Sequence, residues 1–146
     1  MEKKMPDILL VETDGNYLQS TFRLLFTLCV SVEVLPDSRQ AWRFLFGRGQ
    51  RLIPDLVILP LRLHDQDTSK LVEKMRVEKD TREIPVIVQV DSLDERDFFR
   101  QFNFPLSFPF VNPLTLANLV QAFPLLRPAS TITKRFIPPP MVAEAG

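Results

Sequence analysis

The chain has almost none of the side chains from which disulfides, metal centres and nucleophilic relays are usually built. Cys29 is the only cysteine, so an internal disulfide is impossible. Set in an apolar run, it is expected to be a small core residue. His64 is the only histidine, too little for a His-based metal cluster or a Ser-His relay. Neither sign of charge is in excess: 18 Lys and Arg meet 18 Asp and Glu. No bulk electrostatic pull toward nucleic acid or an anionic membrane follows from that balance. Long apolar runs are missing too. The amino terminus leads only into the short stretch 8–11, neither a signal peptide nor a membrane span, so the cytoplasm is the expected location. What remains is 146 residues, 45% hydrophobic and 25% charged, which suits one globular domain.

The chain is organised around Pro54-Asp55-Leu56-Val57-Ile58-Leu59-Pro60-Leu61. A continuous apolar run with β-branched members, opened by a Pro-Asp turn signal, reads as a strand buried on both faces of a parallel sheet. Such a strand delivers its last residue, here Pro60, to the carboxyl edge where open α/β folds place their chemistry. Around it, 7–12 reads as a first strand and 17–28 as a helix with the stripe Leu18, Phe22 and Leu25. A second strand follows over 31–35. Asp37 with Gln40 starts a helix through 46, and 68–76 forms another. The fourth strand is 84–90. Ser92 with Glu95 makes a capping box for a helix to about 102. A fifth strand spans 106–111, and Pro109 marks it as an edge strand. Asn112-Pro113 is expected to cap and open the last helix. Strand and helix thus alternate five times, which predicts a doubly wound five-stranded parallel sheet with helices on both faces. The domain is expected over 1–124. The proline-punctuated remainder, 125–146 with Pro138-Pro139-Pro140, is expected to be a tail or linker.

Over about 7–124 the chain resembles the receiver domain of two-component response regulators. The resemblance rests on Ile8-Leu9-Leu10-Val11-Glu12-Thr13-Asp14, the Pro54–Leu63 stretch, Ile84-Pro85-Val86-Ile87-Val88 and Val111-Asn112-Pro113. It implies the (βα)5, CheY-like and flavodoxin-like fold with strand order 2-1-3-4-5. In that family an acidic pair after the first strand holds Mg²⁺, and an aspartate ending the third strand accepts a phosphoryl group. A Thr or Ser ends the fourth strand, and a lysine precedes the proline after the fifth. A carboxylate nucleophile needs the metal and the lysine to neutralise crowded oxygens during in-line transfer.

This sequence departs at nearly every such position. Glu12 is kept, but Thr13 stands where the second acid belongs, with Asp14 displaced by one. Pro60 replaces the acceptor, Val90 the hydroxyl and Asn112 the lysine, while Pro109 takes the place of the aromatic switch residue. The expectation is a pseudo-receiver: no enzyme, no cofactor, and only Glu12 and Asp14 as weak candidates for a cation. Asp65 and Asp67 join them as possible ligands in a relocated site, but turn formation and helix capping are the expected roles of these aspartates.

Six of the twelve phenylalanines lie between positions 98 and 110. Phe98 and Phe102 are four apart and share a helix face. Matching to the family turns Phe99 inward and puts Phe98, Phe102, Leu106 and Pro109 on the surface formed by the fourth helix, fifth strand and fifth helix, a partner-binding or homodimer face. Phe108 and Phe110 are expected in the core. Trp42 and Phe46, beside Arg43, Arg48 and Arg51, form a second aromatic and basic group, read as an ordinary amphipathic helix rather than a nucleic-acid surface. The expected function is signalling by protein–protein contact without phosphorylation. The alternative is an atypical regulator switched by a displaced carboxylate, or by a bound ligand or metal, and acting through its tail.

Overall fold

A computed structural model describes residues 6–12, 14–47, 53–63, 68–126, 130 and 132–133. Strands and helices alternate along the chain: β1 (Ile8–Val11), α1 (Gly15–Thr27), β2 (Val32–Leu35), α2 (Ser38–Phe46), β3 (Leu56–Pro60), α3 (Thr68–Val77), β4 (Val86–Val90), α4 (Leu93–Arg100), β5 (Ser107–Val111) and α5 (Leu116–Ala122). A 3₁₀ turn, Phe123–Leu125, follows α5. The strands form one parallel sheet in the order β2-β1-β3-β4-β5. This is the expected doubly wound, flavodoxin-like arrangement.

The central run is buried on both faces because both faces carry helices. Val57 and Leu59 join Leu9, Val11, Val86 and Val88 against α2, α3 and Phe99 of α4. Leu56 and Ile58 join Ile8, Leu10 and Ile87 against Leu25 of α1 and Leu119 of α5. Strand β5 lies at the sheet edge. The bonds at its two ends, Val86 N–H to Leu106 O and Asn112 N–H to Val90 O, use the even-numbered residues that flank β5. Alternation therefore turns the missing donor of Pro109 to the open edge, where it costs no ladder bond.

Asp37 caps α2 through the Gln40 amide, and Ser92 caps α4 through the Glu95 amide. The reciprocal half of the α4 box differs from expectation: Glu95 Oε1 accepts from Asp91 N–H, one residue ahead of the cap, at 2.8 Å. At the far end of α2, a Cβ on Gly47 would collide with the Arg43 carbonyl.

Three expectations are corrected. The buried face of α1 is Thr21 and Leu25, with Leu28 just beyond, so Phe22 is 42% exposed and Leu18 only half-buried. Cys29 is exposed and not core: it follows the C-cap of α1 with φ 54°, and this left-handed turn points its side chain away from the sheet. Asn112-Pro113 does not open α5. Thr115 is the cap, in a capping box with Asn118, because Asn112 is engaged elsewhere. Leu126 and Ile132 are buried with the α1/α5 core. The Pro138-Pro139-Pro140 run lies outside the described residues.

One arginine ties the edge of the sheet to α3. Arg76 Nε donates to Pro105 O at 2.7 Å and Nη2 to Leu106 O at 3.0 Å, while Nη1 reaches Arg82 O at 3.2 Å and Thr81 O at 3.4 Å. Leu106 itself has φ 54°, a conformation a branched residue adopts only when its surroundings hold it.

Candidate functional site

The strand order reverses between β1 and β3, and open α/β sheets place ligands in the crevice beyond that point. Here the crevice is a cleft of about 180 Å³, lined by Glu12, Asp14, Tyr17, Pro60, Leu61, Arg62, Gln89, Asp91, Glu95 and Asn112. Glu12, at the end of β1, is only 5% exposed. Asp14 caps α1, accepting from Asn16 N–H at 2.9 Å and Tyr17 N–H at 3.3 Å. Pro60 ends β3 and brings no carboxylate; its carbonyl accepts a hydrogen bond from the Thr68 hydroxyl.

Asn112 bridges two walls. Its Nδ2 donates to Asp91 Oδ1 at 3.1 Å, and its Oδ1 accepts from Gln89 Nε2 at 3.1 Å. Gln89 Nε2 also donates to Thr21 Oγ1 at 2.9 Å. The Tyr17 phenol hydrogen-bonds Asp91, and that bond, with the charges of Asp91, Asp14 and Glu12, raises it above its ordinary value. A chain of polar groups thus runs from Thr21 through Gln89, Asn112 and Asp91 to Tyr17. Opposite it, Arg62 Nε lies 3.5 Å from Glu95 Oε2; the arginine is largely exposed and the glutamate half-buried, so the pair is of small energetic weight.

The expected positions are only partly brought together. Glu12, Asp14, Pro60 and Asn112 meet in the cleft. Val90 does not, because its side chain packs in the core under α2–α4, 1% exposed. Thr13, His64, Asp65 and Asp67 lie outside the described residues. Among the described residues no three of His, Cys, Asp and Glu form a metal-holding group, and Asp14 caps α1. Sequence reading missed Tyr17, Gln89, Asp91 and Glu95. Gln89 carried a signal, as the one polar residue in the apolar run 84–90. A buried amide needs partners, and they converge on the cleft.

The aromatic cluster divides. Phe99 is buried as expected, whereas Phe98 and Phe102 are 54% and 42% exposed. Their rings meet edge to face at 5.5 Å, and Phe102 stacks on the half-buried Phe104 at 5.5 Å. With Leu61, Leu63, Thr68 and Ser69 they line a groove of about 400 Å³ on the α3 side of α4. Pro109 is buried, and Leu106 is half-buried. Of the four residues expected on that surface, Phe98 and Phe102 are the exposed ones. Phe108 and Phe110 are half-buried against the α1/α5 core, stacked at 6.3 Å. Trp42 and Phe46 pack edge to face with Lys74 over both rings, a half-buried helix flank. No helix of the described residues is long and apolar enough to cross a membrane.

Comparison with known proteins agrees with this architecture. No family model matches the chain. The probable methanogenesis regulatory protein FilR2 of Methanothrix harundinacea (strain 6Ac) is 28% identical over 126 residues, 82% of this chain and 80% of that protein. The bacteriophytochrome response regulator RtBRR superposes with a TM-score of 0.72 at 25% identity, covering 84% of this chain and 78% of the other. The bacteriophytochrome response regulator AtBRR gives 0.72 at 25%, covering 85% and 94%. The fold is that of response-regulator receiver domains, and the chain is a receiver-like signalling module.

Proposed function

We infer that this module signals without phosphorylation at the sheet edge and acts through protein–protein contacts made by α4. The carrying observation is Pro60. The residue at the end of β3 has no carboxylate to accept a phosphoryl group, and among the described residues Asp14, Asp91 and Glu95 already make capping or bridging hydrogen bonds. Without an acceptor the charge-driven switch has no trigger, and the state of the module follows partner occupancy. The Phe98–Phe102 pair is the contact surface: two large rings exposed side by side resemble the aromatic centre of an interface more than the solvated face of a helix. The partner is a second copy of the chain or another protein.

Incubation with acetyl phosphate and Mg²⁺, followed by intact-mass measurement, tests the first half. The expected result is an unmodified mass. A stable phosphoryl adduct, mapped to Glu12, Asp14 or Asp91, would establish the alternative of a displaced acceptor.

A further inference from the structure

The groove on the α3 side of α4 is aromatic and preformed. Of its about 400 Å³, one wall is the edge-to-face pair of Phe98 and Phe102. Phe102 is held in turn by stacking on Phe104 and by a tilted contact with the buried Phe99. The polar groups at the groove are donors: the half-buried Ser69 hydroxyl and the exposed Arg62 guanidinium, which has N–H groups beyond the one facing Glu95. Residues 134–141, outside the described residues, read Lys134-Arg135-Phe136-Ile137-Pro138-Pro139-Pro140-Met141. Three successive prolines fix φ and favour polyproline II, which loses little entropy on docking, and they offer carbonyls with no N–H to satisfy. A segment of acceptors and apolar rings matches a groove of donors and aromatic rings, the pairing by which proline-rich segments are generally bound.

Charge agrees with that match. Asp94 stands four residues before Phe98 on the exposed side of α4, and among the described residues it enters no ion pair. At 1.5 Å per residue it lies about 6 Å along the helix from Phe98 and about 12 Å from Phe102. The basic pair Lys134-Arg135 precedes Pro138 by about 9–12 Å at the 3.1 Å rise of polyproline II. Prolines laid on the two rings therefore bring the basic pair over Asp94. Reach decides whose segment it is. Ile132 is packed with the α1/α5 core, on the other face of the sheet from the groove. From Ile132 to Pro138 the chain spans about 20 Å when fully extended. Its path to its own groove would have to clear the sheet edge and then α4, itself about 10–12 Å wide.

We propose that the α3/α4 groove binds residues 134–141 of a second copy of the chain. This rests on the α4 reading above and names its partner. Because the segment and the groove belong to opposite faces, the contact is heterologous and adds copies head to tail instead of closing as a two-fold pair.

The test is light scattering of the full chain over a concentration series. One variant combines Pro138→Ser, Pro139→Ser and Pro140→Ser, and a second combines Phe98→Ser with Phe102→Ser. The wild type should gain mass steadily with concentration, while each variant alone stays monomeric. An equimolar mixture of the two should stop at a dimer, because only the intact segment of one and the intact groove of the other can meet. A wild type that is monomeric throughout would overturn the proposal. If the proline variant then moves the Ser69 and Phe98 amide signals, the segment docks on its own chain. A proline variant that associates like the wild type would also overturn the proposal while leaving the α4 reading intact. Unchanged association in the phenylalanine variant would overturn that reading and this one with it.

Discussion

Replacing Arg76 with methionine should cost the domain about 3 kcal/mol, although Arg76 faces no carboxylate in the hydrogen bonds described. Its guanidinium donates two short bonds, to Pro105 O at 2.7 Å and Leu106 O at 3.0 Å, and two longer ones to Arg82 O and Thr81 O. A hydrogen bond from a charged group contributes about 1.5–3 kcal/mol. Counting only the short pair, and letting the freed carbonyls regain some water, gives about 3 kcal/mol. Methionine keeps the apolar stem, so lost packing adds little. The clamp joins the end of α3 to the start of β5, and its loss should loosen the edge strand first. At about 3–4 °C per kcal/mol for a domain of this size, Tm should fall by roughly 10 °C. Arg76→Lys should recover little, because an ammonium cannot span the two carbonyls as a planar fork does. Burial lowers the guanidinium from its usual value to about 10. A folded value below the unfolded one means that the unfolded chain binds the extra proton only above about pH 10. The wild-type minus variant difference should therefore be flat between about pH 6 and 8. Urea melts at two pH values decide the matter. A difference below about 0.5 kcal/mol, the range of ordinary surface substitutions, would refute the clamp.

Three further outcomes are expected. Phe98→Ser with Phe102→Ser should leave Tm within a few degrees, since both rings are largely exposed, yet abolish association in light scattering or pull-down; unchanged association would remove α4 as the contact surface. Thr115→Ala removes the capping box of α5 and should cost about 1 kcal/mol in chemical denaturation, whereas no loss would mean that the cap is made by other groups. Tyr17 is the only tyrosine, so ultraviolet titration reads it alone. Its phenol should ionise above the ordinary 10, and Asp91→Asn should bring it back toward that value. Because the folded value is the raised one, this group's contribution to stability is present at neutral pH and is lost as pH climbs through the phenol range. An unshifted phenol in the wild type would mean that the Tyr17–Asp91 bond is not made in solution.

Local pattern carried the fold. The run 54–61 announced a strand buried on both faces, and Asp37, Ser92 and Pro109 fell where capping and edge chemistry put them. The misses have physical causes. In α1 a helical stripe could be drawn through Phe22, but the sheet selects the neighbouring face with the smaller Thr21. Asn112 satisfies every local rule for a cap, yet a tertiary demand from Gln89 and Asp91 overrides it. The vacated end of β3 was legible as one residue, Pro60. The polar chain behind the cleft was not, because Thr21 and Gln89 are 68 positions apart, and only the topology brings them together. The α4 aromatics were legible as a pair, but which side of the helix they occupy depends on how α3 packs.

Whether the sheet edge responds as a phosphoryl-accepting site is settled most directly by an amide NMR titration with Mg²⁺ and then beryllofluoride, which mimics a carboxyl-bound phosphoryl group. The expected result is no saturable shift at Glu12, Asp14, Leu61 or Asp91 in either step. Saturable shifts there, extending into α4 at Phe98 and Phe102, would show that a relocated acceptor still drives the module and would contradict the phosphorylation-independent reading.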